Sequence, residues 1–489
     1  MFFQGHRKFC SNSDVVTPAG ISAQQIPAVL VAAPRYFKGR GRPTSTRLSS
    51  LSRCINDSLL LSSLSSSTDT SPIRSVRYLV LFSIVFRNGD SHSTISSPIE
   101  PERFTLHKRY GPVVRLGPAE ILFSSLSAQR QIYGGFERTS FYRMFDVYGR
   151  QNLFTISSTK DHSRRKKMLH HAYSKTAILN FASSDCIVQR VDDVLNLIEK
   201  STKREVEIYS AMLFYSLDIT HFLYGAELAT HALRGNKAHQ SMLDDQRDPA
   251  RRKMAWFSTH MKWYVRWLAN QTGAVERVLD FLGFYPQRKP FVYTGIREYA
   301  LKVYYDYKPS AEATIIGRLK SFPELDDLDI ASECADHFLA GINTTADTLF
   351  FMLWILSRPE NKSMQDRLID ELHHSGLRGT PSPKDLSRAN IPYFDVVVQE
   401  TLRLYAPLPA SEPRVSSKHT QINNYLVPAH TIISCQPYTL HRNPSIFTNP
   451  ETFLPERWLS DDPELKRRWW AFSSGGRMCI GEQYCLLWG

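Results

Sequence analysis

Apolar positions recur along this chain with two periods, and the helical one dominates. After the turn signal Tyr110-Gly111-Pro112, "VVRLG" and "AEILFS" alternate apolar and polar residues, which predicts two paired strands. Residues 325–357, "LDDLDIASECADHFLAGINTTADTLFFMLWILS", repeat apolar positions at helical spacing. That predicts one helix long enough to cross a domain, too often interrupted by polar residues for a membrane span. Residues 358–376 have Pro near the start and Gly past the end, and 392–407 are bounded by prolines. Both stretches predict helices. Residues 420–440 predict a short hairpin. The sum is a mainly α fold with a minor β-sheet and no internal repeat, a single large helical domain over 96–489.

Residues 1–95 break this pattern and form a Ser-rich leader, and the first 54 residues are rich in Arg and Lys but hold one acid, Asp14. An organelle transit peptide has this composition, as does a disordered tail or a misplaced start of translation. The most apolar stretch there, "YLVLFSIVF" at 78–86, is too short to span a bilayer and predicts a buried strand or short helix. A net charge of +13 suits an anionic membrane surface, an acidic protein or nucleic acid. The charge is scattered and no compact nucleic-acid motif is present, so no nucleic-acid partner is expected. The 7 cysteines are irregularly spaced, which argues against a disulfide framework, and no Cys-x-x-Cys suggests a zinc ribbon.

Candidate chemistry concentrates in four places. The first is Phe472-x-x-Gly475-x-Arg477-x-Cys479-x-Gly481. Glycines let a backbone approach a flat ligand and aim amides at a sulfur, which a thiolate needs to stay ionised. The second is Glu400-x-x-Arg403, an i, i+3 ion pair, followed by "FLPERWL" at 453–459 with Arg457. A surface pair is the plain alternative. The third is Ala340-Gly341-Ile342-Asn343-Thr344-Thr345 inside the long helix. There a Thr hydroxyl either meets a ligand or bonds back to its own helix. The fourth is "DHSRRKKMLHHAYS" at 161–174, by composition a solvated basic face.

In this order and spacing the motifs resemble the cytochrome P-450 monooxygenases. "LHKRYGPVVRLGP" and "LHRNPSIF" look like the filamentous-fungal branch of that family. The resemblance implies haem b with Cys479 as its axial thiolate, which favours O–O cleavage. It also implies Gly475 and Gly481 shaping the loop, Phe472 packed near the sulfur and Arg477 beside a propionate. Counting back from Tyr173 puts His162 and Lys166 at the family's Trp and Arg propionate positions, and Arg414 is a further propionate candidate. Glu400, Arg403 and Arg457 would form a buried network bracing the loop. Thr344 would help deliver protons to bound oxygen, next to Asn343. The family usually carries an acid at that last position, and an amide cannot release a proton near neutral pH. Asp347, one turn on, is a substitute candidate. The second "PERF", at 101–104, precedes the first strands and is taken as coincidence.

The implied reaction inserts one oxygen atom of O2 into a small apolar organic substrate. Electrons would come from NADPH through a flavoprotein, cytochrome P-450 reductase. Lys466, Arg467 and Arg468 would either steer that partner or be plain surface charge. Family resemblance implies the endoplasmic reticulum membrane, with peripheral attachment or organelle targeting by the basic leader as alternatives. Two departures stand out. A basic leader replaces the usual apolar anchor, and the chain ends at Gly489, where relatives continue for some tens of residues. Tyr484 and Cys485 also replace the usual Leu and Ala. A truncated, inactive relic, or a haem-binding protein without turnover, is therefore the alternative expectation.

Overall fold

The computed structural model describes residues 99–180, 184–201, 206–219, 224–225, 228–244, 294–309, 314–460 and 462–488. The leader and "YLVLFSIVF" lie outside the described residues. A helix over Ile99–Tyr110, which includes the second Pro-Glu-Arg-Phe, precedes the strands β1 (Val113–Gly117) and β2 (Glu120–Phe123). These pair antiparallel, with Val113 opposite Phe123, as their alternation predicts. Helix α1 (Leu126–Gly135) starts where the Ser125 hydroxyl accepts the Ala128 N–H, and β3 (Glu137–Arg138) follows. Then come α2 (Thr159–His170), α3 (Ile208–Asp218), α4 (Thr294–Asp306) and α5 (Asp327–Leu356). They are followed by α6 (Lys362–His374) and α7 (Pro392–Leu404). The last elements are β4 (Arg414–Val415), β5 (Thr420–Ile422), β6 (Tyr425–Val427), β7 (Ile432–Cys435) and α8 (Glu482–Trp488).

Helix α5 begins at a capping box, in which Asp326 accepts the Asp329 N–H and the Asp329 carboxylate accepts the Asp326 N–H. Phe338, Ile342 and Ala346, four residues apart, lie fully buried on one face. That face joins Leu213 and Leu217 of α3 and Val303 of α4 in the largest apolar cluster. Burying a side chain such as Phe338 contributes about 1.5–3 kcal/mol. The opposite face of α5 is thereby held at a cavity wall.

The hairpin expected over 420–440 is shorter than its pattern suggests. Only β5 and β6 pair with each other. Strand β7 leaves them after His430, whose φ is 63°, and joins a five-stranded sheet ordered β1-β2-β7-β4-β3. Ile433, Ser434 and Cys435 are buried there, so burial between β2 and β4 outweighs the local preference for a hairpin. Pairing of β3 with β4 sets Arg138 opposite Arg414 across the sheet edge.

Candidate active site

The glycine-rich segment is a closed loop with its polar groups tied down. The Cys479 N–H donates to the Phe472 carbonyl at 2.9 Å and closes it. Gly475 has φ 71°, and a Cβ there would overlap the Tyr133 carbonyl oxygen of α1. The Ser474 hydroxyl accepts Gln129 Nε2–H at 2.7 Å and Trp470 Nε1–H at 3.1 Å. Arg477 donates to the carbonyls of Ile156 and Ser157 at 2.7 and 2.5 Å. Such bonds offset the entropy a glycine-rich segment loses on ordering. Lys166 of α2 donates to the carbonyls of Gly476 and Met478 at 3.1 and 2.7 Å. Sequence reasoning gave Lys166 to a carboxylate. In the structure this flexible ammonium, with three N–H bonds to give, reaches the loop carbonyls.

Cys479 faces a cavity of about 390 Å³, and its surface is exposed because it lies at the wall of this cavity. Burial in the protein pushes its thiol pKa up, while the Gly481 N–H and the Lys166 charge pull it down. Phe472 and Gly481 share the wall, as do Ala340, Gly341, Asn343 and Thr344 of α5. Among the described residues, no atom beyond its own stretch of helix lies within 4 Å of where a Gly341 Cβ would stand, so this glycine widens the cavity. The Thr344 hydroxyl donates to the Ala340 carbonyl at 2.7 Å, which leaves its lone pairs as acceptors. Asp347 is buried and is not among the lining residues.

One end of the wall is cationic. His162, Lys166 and Arg477 line it together with Arg138, a residue the sequence gave no reason to choose. Arg138 reaches it through the β3–β4 pairing, and it donates to the Phe154 carbonyl. Arg414 is buried beside it, donating to the Tyr142 hydroxyl at 2.7 Å and to Glu412 at 3.0 Å. Burial, with Arg138 and Arg414 nearby, lowers the Arg477 pKa to about 10. Burial and the charges of Arg477, Arg138, Lys166 and Arg414 push His162 down to about 3. Among the described residues, the buried Nε atoms of Arg138, Arg414 and Arg477 each lack a hydrogen-bond partner. The cluster thus carries positive charge and unused donors, which is the chemistry of a carboxylate site.

Behind the loop, Glu400 lies fully buried on α7. It accepts Arg403 Nε–H and Nη2–H at 2.8 Å each, Arg457 Nε–H at 3.2 Å and Trp458 Nε1–H at 2.8 Å. Arg403 also donates to the carbonyls of His441 and Pro450 at 2.8 and 2.7 Å. His441 went unnoticed in the sequence. Burial and the charges of Arg403 and Arg442 hold its pKa at about 3. An unfolded histidine binds a proton near pH 6.5 and the folded ring does not, so stability falls as pH drops below 6.5. Between pH 6.5 and 5 the loss is expected to reach roughly 2 kcal/mol from this group. Urea midpoints measured across that range should fall more steeply for the native chain than for His441→Gln.

A family profile described as cytochrome P450 matches residues 302–485. Curated relatives align over most of the chain. The cytochrome P450 monooxygenase orf2 of Aspergillus niger is 24% identical over 396 residues, covering 78% of this chain and 77% of that one. The monooxygenase stcB of Emericella nidulans is 28% identical over 392 residues, covering 77% and 72%. The monooxygenase aflV of Aspergillus parasiticus is 27% identical over 398 residues, covering 77% and 75%. The chain is similar to cytochrome P450 monooxygenases over most of its length.

Other polar groups on the cavity wall come from α5. Asp336 and His337 line it, and burial pushes the Asp336 carboxyl up to about 7. Tyr173 Oη lies 2.6 Å from His337 Nδ1, and Glu333 is paired with Arg165 at 2.6 Å. Tyr484 is buried and its hydroxyl donates to the Ile219 carbonyl at 3.2 Å. Arg467 and Arg468 pair with Glu464 of their own short helix at 2.6 and 3.6 Å, which reduces the field that basic run presents. Among the described residues Asp327–Leu356 is long and apolar enough to cross a membrane, a test that a buried core helix also passes. Similarity to this family and this one marginal helix are consistent with the endoplasmic reticulum membrane.

Proposed function

We propose that this chain is a member of the cytochrome P450 family, a haem-thiolate monooxygenase acting on a small apolar organic substrate. The observation that carries the reading is Cys479, whose sulfur meets the Gly481 N–H and faces an apolar cavity shared with Asn343 and Thr344. The residues fit a haem b. Cys479 supplies the thiolate, and Arg138 and Arg477, which line the cavity and whose Nε atoms have no partner among the described residues, offer donors to its two carboxylates. When bound, the haem supplies reductive activation of O2 and insertion of one oxygen atom, with electrons from NADPH through a flavoprotein reductase.

The chain's own residues do the rest. Lys166 and Arg477 hold the loop carbonyls and α2's approach in place, and His162 adds a neutral donor beside the cations. Thr344, with its proton committed to Ala340, accepts a hydrogen bond from water at the cavity wall. Asn343 orients that water without ionising. Apolar lining excludes bulk solvent and favours an apolar substrate. The same two residues favour a second reading, a haem-binding protein without turnover, because neither Asn343 nor Thr344 offers a titrating proton here.

The test is the carbon monoxide difference spectrum of the reduced, haem-loaded chain. A red-shifted thiolate band is expected in the native chain and in Cys485→Ser, and its loss in Cys479→Ser. A folded, haem-loaded native chain without that band would overturn the reading. Product formed per O2 consumed, with NADPH and reductase, separates turnover from binding alone.

A further inference from the structure

Between the buried carboxylate network and the cysteine loop stands one imidazole. Arg403 Nη1–H donates to the His441 carbonyl at 2.8 Å, and His441 Nδ1 lies 3.1 Å from the Arg403 carbonyl. That carbonyl can only accept, so Nδ1 carries the proton. On the other side the Trp470 backbone N–H donates to His441 Nε2 at 2.9 Å. Nε2 must therefore be bare, and the ring is the neutral Nδ1–H tautomer. Trp470 then reaches the loop twice. Its indole N–H donates to Ser474, next to Gly475, and its ring lies 4.7 Å from that of Tyr133, whose carbonyl Gly475 abuts.

We infer that His441 is a positioning residue for the Cys479 loop, transmitting the placement of Arg403 to Trp470 through an imidazole that donates on one side and accepts on the other. The inference rests on the reading of Cys479 as haem ligand. The ring is fully buried, so each hydrogen bond is made away from water, and losing the acceptor leaves the Trp470 amide unsatisfied. The nearby charges of Arg403 and Arg442 help keep the ring neutral. A positioning role separates from simple space-filling because the two ring nitrogens do different things. A Gln amide can reach the Nε2 position and accept from Trp470. An Asn amide reaches only the Nδ1 position.

The experiment compares native chain, His441→Gln and His441→Asn, each full-length and haem-loaded. Decay of the reduced carbon monoxide thiolate band is followed at neutral pH, with far-UV circular dichroism as a check on the fold. Hydrogen exchange at the Trp470 amide is the second readout. His441→Gln should decay within a few-fold of native and keep that amide protected. His441→Asn should decay about ten- to a hundredfold faster and lose protection, with its helix signal unchanged. Equal decay in the two variants, native-like decay in both, or failure of both to fold would overturn the inference. A native chain that shows no thiolate band sinks the ligand reading itself, a different result from a native band that the variants leave untouched.

Discussion

Glu400→Ala is expected to yield no folded, haem-loaded protein. Glu400 and Arg403 are both fully buried, and the Arg457 side chain is 6% exposed. Their attraction offsets the cost of taking three charges out of water only while all three are present. Removing the carboxylate strands two guanidinium groups, the Trp458 indole N–H and the Leu454 amide, which donates to Glu400 at 2.9 Å. Breaking a buried pair by deleting one partner costs about 3–5 kcal/mol. A domain holds about 5–15 kcal/mol in total, so this one change removes a large share. Glu400→Gln keeps an acceptor oxygen and loses the charge, and should fall between the two. Thermal unfolding by circular dichroism and haem retained per chain would check both. A melting point for Glu400→Ala within a few degrees of native would show that the network is dispensable.

Gly475→Ala should disable the loop while leaving the distant core intact. The position has φ 71°, and its Cβ would overlap a backbone oxygen of α1, which cannot swing aside as a long side chain can. The left-handed backbone alone costs an alanine about 1–2 kcal/mol. Relieving the overlap requires the loop to separate from α1, which breaks the Gln129–Ser474 bond. The expected result is at least a tenfold loss of the thiolate band per folded chain, with little change in helix content. Among the described residues, a Cβ at the neighbouring Gly476 meets no atom within 4 Å and the φ there is not left-handed, so Gly476→Ala is the matched control and should retain the band. Equal damage from both changes would mean that loop flexibility, rather than the approach to Tyr133, is what Gly475 provides.

The parts of the site legible in the sequence are those written in local order. Phe472 to Gly481 fall in one loop because they are neighbours in the chain, and Glu400 meets Arg403 because i, i+3 residues share a helix face. The amphipathic period of residues 325–357 sets where α5 lies, and with it the alignment of Ala340, Gly341, Asn343 and Thr344 along one cavity wall. Lys166 was chosen from the sequence, but its carbonyl partners in the loop were not foreseen. Its charge could be inferred from its identity, whereas the nearest acceptors belong to a loop about 310 residues away, at Gly476 and Met478.

Three features depended on contacts that no local period encodes. Arg138 enters the cationic cluster because β3 pairs with β4, a strand 276 positions on, through main-chain bonds that carry no side-chain signature. Strand β7 pairs with β2 rather than extending its own hairpin, since two buried faces outweigh a nearby turn. His441 becomes a two-sided link only when α7 and the segment before the cysteine close around it. The sequence alone determined the helical class, the cysteine and its glycines, and the ion pair, because each is specified by spacing of ten residues or fewer. The tertiary structure alone decided which cations gather, which partner each one takes and how the loop is held, because those outcomes follow from desolvation and competition among groups distant in the chain.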